Sequence, residues 1–159
     1  MVRRHQQRRI LRRDEGIPLK NPATRSVTPD AYHAAMPKPH FTCTVTPAYL
    51  AEQSDATQGI YAFSYTVTVV NSGDVAAQLI ARHWVITDGA GHTEEVRGLG
   101  VVGQQPLLQP GQRFEYTSWT RLATPRGRMK GTYFCMTDDA RPFEAPIAEF
   151  ELSQARALH

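Results

Sequence analysis

The string Gly98-Leu99-Gly100-Val101-Val102-Gly103 has the G-x-G-x-x-G spacing associated with dinucleotide phosphates, and Arg97 stands directly before it. Glycines serve that chemistry because a missing side chain lets backbone amides approach a pyrophosphate seated on a helix N-terminus. Here Gln104-Gln105-Pro106 follows, which opens a turn rather than a helix, so the dipole that completes such a site is not supplied. The segment reads instead as a glycine-bearing strand with a bulge or a close backbone contact. An anion nest built from Arg97, Gly98, Gly100 and Gly103, binding a phosphate or pyrophosphate compound, is the alternative.

The remaining reactive residues do not form a catalytic set. His83 lacks a second ligand at metal spacing and reads as an ordinary strand residue, with Trp84 beside it as core or interface packing. Glu94-Glu95 and Asp138-Asp139 are adjacent pairs, which a strand sends to opposite faces. Ser118 has no nucleophile elbow around it. Cys43 and Cys135 read as reduced, largely buried thiols. No catalytic residue, metal site or cofactor is expected, and a binding role outweighs an enzymatic one.

The elements that must position these residues repeat with period two. Phe41, Cys43 and Val45 alternate with threonines, and Tyr61, Phe63, Tyr65, Val67 and Val69 share one face opposite Ser64, Thr66 and Thr68. Asn71-Ser72-Gly73-Asp74 then supplies turn chemistry. Further strands are expected over AQLIARHWVITD, HTEEVRGLGVV, QRFEYTSW, RMKGTYFCM and PFEAPIAEFEL. In the last, the apolar phase is odd through Phe143, Ala145 and Ile147 but even at Phe150 and Leu152, which places a bulge beside Pro146. Seven strands joined by short turns predict an all-β, antiparallel sandwich of the immunoglobulin or fibronectin type III kind.

The charge is divided along the chain. Residues 1–40 hold nine Lys/Arg against three Asp/Glu, a balance of +6, and the other 119 residues hold nine against twelve, a balance of −3; together they give the net +3. Residues 1–34, Arg-rich and then Pro-containing, read as a disordered extension, and the folded domain is expected over 35–159. The extension has the charge to meet nucleic acid, although a solvated tail is the stronger reading. It lacks the apolar stretch of a secretory signal, and no segment approaches the ~20 apolar residues of a membrane-spanning helix. A cytoplasmic protein without membrane insertion is expected.

The string RHWVITDGAGHTEEVRGLGVVGQQPLLQPGQRFEYTSW, flanked by YLAEQS, YAFSYTVTVVNSG, TPRGRMKGTYFCM and PFEAPIAEFEL, resembles the ApaG domain family (DUF525). The resemblance runs from about Ala35 to His159. It implies a fibronectin-III-like sandwich of seven strands in a bacterial cytoplasmic protein, and a family name tied to cobalt/magnesium efflux or resistance. Similar domains in F-box proteins and in a polymerase-interacting protein imply a protein partner; a homo-oligomer is compatible with this, and divalent metal handling is a further alternative. Two departures stand out. Trp119 occupies a position where the family usually has Gly, which makes it a candidate exposed contact, and the Arg-rich extension precedes the usual start near Met36.

Overall fold

Alternating apolar and hydroxyl residues drive pairing by burying one face of each strand and leaving the other to solvent. The computed structural model describes residues 36–154; the expected extension over 1–34 lies outside them. The strands are β1 (Phe41–Tyr49), β2 (Tyr61–Asn71), β3 (Ala77–Asp88), β4 (Thr93–Leu99), β5 (Leu107–Leu108), β6 (Arg113–Leu122), β7 (Arg126–Thr137) and β8 (Pro142–Ser153). Two antiparallel sheets result, one ordered β1-β2-β6 and the other β4-β3-β7-β8, with the short β5 also pairing to β3. The seven expected strands are all present. β5 was not foreseen, because two residues behind Pro106 carry no readable period. The fourth strand is shorter than expected, ending at Leu99, because Gly100 turns to a φ of 64° and leaves the ladder.

The inner faces meet in an aromatic seam. Tyr65 of β2 lies 5.3 Å from Trp84 of β3, ring centre to ring centre, and Trp84 lies 6.2 Å from both Tyr133 and Phe150. Phe63, Val67, Val69, Leu79, Met129 and Leu152 fill the remainder, each almost completely buried. Burial of this kind is worth about 1.5–3 kcal/mol per large apolar side chain. The Tyr116 and Tyr133 hydroxyls bond to each other across the sheets, and burial holds both phenols well above their ordinary pKa. Cys135 is buried and Cys43 half-buried, both free; burial pushes their thiols up to about 12 and about 11.

Two bulges re-aim side chains. In β8, Ala148 and Glu149 together oppose Lys130, since Met129 pairs Phe150 whereas Gly131 pairs Ile147. This is the irregularity expected beside Pro146. In β3, Ile80 is the extra residue between the pairs Leu79–Cys135 and Ala81–Phe134. The buried phase therefore moves from Ala77 and Leu79 to Trp84 and Ile86, which brings Arg82 onto the inner face. The Asn71 turn is held from within. The Asn71 amide donates to the carbonyls of Val75 and Leu108, and its oxygen accepts from the Gly73 amide.

Candidate functional site

The residues after β4 form a tightly pinned loop. The Gly100 amide donates to the carbonyl of the bulged Ile80 at 2.8 Å, and the Gln105 side-chain amide donates to the same oxygen at 2.9 Å. Val101 and Gln104 exchange two backbone hydrogen bonds around Val102 (φ 43°) and Gly103 (φ 78°). Two successive left-handed residues make this a type I′ turn. Glycine adopts that conformation freely, but a β-branched valine does not, so Val102 holds local strain of about 1–3 kcal/mol. Val101 is fully buried and anchors the loop to the core, whereas Leu99, Val102 and Leu107 are 75%, 53% and 55% exposed.

Arg82 is the charged residue that this loop surrounds. Its cross-strand partner is Gly98, and the guanidinium lies over that glycine so closely that a Cβ there would come within 2.8 Å of Nη1. The same Nη1 donates to the carbonyls of Leu99 and Gly100, both at 2.9 Å. The second glycine supports this arrangement, because its positive φ turns the chain back across the end of β3, and a Cβ at Gly100 would meet the Gln104 carbonyl at 2.4 Å. The glycine segment thus houses an arginine. The amides of Gly100, Val101 and Gln104 are committed to internal bonds.

Two concavities flank this end of the sandwich. A cleft of about 310 Å³ opens between the sheets, lined by Tyr65, Arg82, Trp84, Tyr116 and Ser118 and rimmed by residues of the 99–103 loop. On the outer face of the second sheet, an open hollow of about 550 Å³ is lined by residues that include His83, Arg97, Leu99, Phe134 and Glu144. His83 Nε2 lies 3.4 Å from a Glu95 carboxylate oxygen, and Arg97 Nη2 lies 3.9 Å from the other. Phe134, 40% exposed, faces the hollow together with Leu99.

The residues singled out by the glycine spacing are only partly brought together. Arg97 and Gly98 border the outer hollow, Gly103 borders the cleft, and Gly100 is spent on the turn. Trp119 lies elsewhere, 60% exposed on the outer face of the first sheet, with the Arg121 guanidinium 5.5 Å from its ring centre. Arg82 was not anticipated. The signal for it lies in β3, where the apolar phase is odd at Ala77 and Leu79 but even at Trp84 and Ile86. Among the described residues, no group of three or more His, Cys, Asp and Glu side chains could hold a metal ion, and no helix is long and apolar enough to cross a membrane.

Comparison with known proteins places this architecture in context. The family model described as ApaG domain (DUF525) matches residues 51–137. A protein ApaG of Ralstonia nicotianae is 55% identical over 124 residues, spanning 78% of this chain and all of the relative. A protein ApaG of Bordetella pertussis is 58% identical over 123 residues, spanning 77% of this chain and 94% of the relative. The crystal structure of a Bordetella pertussis protein named ApaA superposes with a TM-score of 0.73 at 56% identity, covering 75% of this chain and 97% of that one.

Proposed function

Because the chain belongs to the ApaG domain family, we propose that it is a non-catalytic cytoplasmic binding module that docks a protein partner through the end of the sandwich bearing the 99–107 loop. The observation that carries this reading is the loop itself. Of the five large hydrophobic side chains exposed among the described residues, Val102 lies on it and Leu99 and Leu107 flank its two ends, and a fourth, Phe134, shares the adjoining hollow with Leu99. Exposed apolar groups on a pinned, strained turn cost stability without adding to the core, and such features concentrate at contact surfaces. The rim of Arg97, Glu95 and Glu144 supplies charges that orient a partner. Any part in cobalt or magnesium handling is then indirect, exerted through that partner.

Affinity capture from cell lysate with wild type, Leu99→Asp and Phe134→Asp tests this reading. Proteins retained by the wild type are expected to be lost by both variants, with unchanged thermal midpoints showing that the fold persists. Retention of the same proteins by both variants contradicts it. Loss confined to a parallel Trp119→Ala sample moves the interface to the opposite sheet.

A further inference from the structure

We propose that the cleft between the two sheets, beneath residues 99–103, binds a small organic carboxylate anchored by Arg82. The cleft lies beneath the partner-docking surface, whose Leu99 and Val102 form part of its rim. Arg82 lines this cleft as well as the outer hollow, and its hydrogen bonds among the described residues go only to two neutral carbonyls, both through Nη1. Nε and Nη2 remain, and together they form the side-on fork that a carboxylate meets with two parallel hydrogen bonds. No acidic residue lines the cleft.

The other polar groups present donors as well. The hydroxyls of Tyr65 and Ser118 face the cleft and have no hydrogen-bond partner among the described residues, while the Tyr116 hydroxyl is taken by Tyr133. Each hydroxyl can donate to an anion as well as accept, so one cation flanked by two hydroxyls and no carboxylate suits a group carrying one negative charge. A carboxylate is such a group, whereas a phosphate monoester carries about −1.5 to −2 at neutral pH and calls for a second cation. Trp84 and Val101 add a small apolar patch to a mainly polar lining, and a cleft of about 310 Å³ admits only a small ligand. The glycine spacing then acquires a specific purpose. Gly98 leaves the space in which the guanidinium lies, and the turn beyond it supplies the carbonyls that hold Nη1.

The test uses the full chain and benzoate as probe, followed by amide, arginine Nε–H and indole resonances at low ionic strength. Benzoate is expected to shift the Arg82 side-chain and Trp84 indole signals saturably, and neutral benzamide is expected not to. Arg82→Gln should abolish the shifts, and Ser118→Ala and Tyr65→Phe should each weaken binding roughly three- to tenfold. Phe134→Asp, outside the cleft, should bind benzoate as the wild type does, so this site and the docking surface can fail separately. The proposal is overturned by the absence of saturable shifts, by equal binding of benzamide, by tighter binding of pyrophosphate, or by wild-type affinity in Arg82→Gln. If Arg82→Gln does not fold, wild-type affinity in both Ser118→Ala and Tyr65→Phe overturns it equally.

Discussion

Arg82 shows how a single side chain can be misplaced by simple alternation and still organise a site. An arginine in the middle of an apolar strand is assigned to solvent by simple alternation, and only the extra residue at Ile80 turns it inward. Leu79, Ile80 and Ala81 are all apolar, so the phase change has no polar marker at the point where it occurs. The glycines were legible as structural features, whereas the arginine they accommodate was not, because the contact joins residues 82 and 98 across two strands. Their roles differ in a measurable way. At Gly100 a methyl group meets both a left-handed backbone and the Gln104 carbonyl, but at Gly103 it meets only the left-handed backbone, with nothing within 4 Å. Gly100→Ala is therefore expected to cost about 2–3 kcal/mol in denaturant unfolding and Gly103→Ala about 1 kcal/mol. Equal costs would show that the carbonyl contact is relieved at no expense.

At the scale of elements, alternation was a reliable guide wherever one face is buried and the other carries hydroxyls, as in β1 and β2. The bulge in β8 was legible because Phe150 and Leu152 mark the new phase against Ala145 and Ile147, with acidic residues between. The bulge in β3 shows only as the shift from odd Ala77 and Leu79 to even Trp84 and Ile86, across an apolar run that hides where it falls, and the two-residue β5 carries no readable period. The turn after β2 announced itself through Asn71 and Gly73, yet the sequence did not show that the asparagine is 1% exposed and bonds to three backbone groups. Removing its amide leaves two carbonyls and one N–H to find other partners. Asn71→Ala is expected to destabilise the fold by about 2–3 kcal/mol, and Ser72→Ala, at an exposed hydroxyl, by less than about 1 kcal/mol. A neutral Asn71→Ala in thermal or urea unfolding would mean that these groups are satisfied by solvent.

For the whole molecule, the two sheets present different outer surfaces. The first carries rows of threonine, with Thr66 bonded to Thr117 and Thr68 to Glu115, and offers Trp119 as its exposed aromatic group. The second carries the hollow in which Leu99 and Phe134 meet Arg97, at the end where the glycine loop closes the cleft. The sandwich itself was readable from strand count and turn spacing, but this asymmetry was not, because it depends on which strands become neighbours. The most direct measurement places a photo-crosslinking amino acid at Leu99, Phe134 or Thr44 in turn and irradiates intact cells. Discrete protein adducts from the Leu99 and Phe134 positions, with none from Thr44, are the result expected of a module that docks its partner through the 99–107 end. Adducts from Thr44 alone, or none from Leu99 and Phe134, would contradict that assignment.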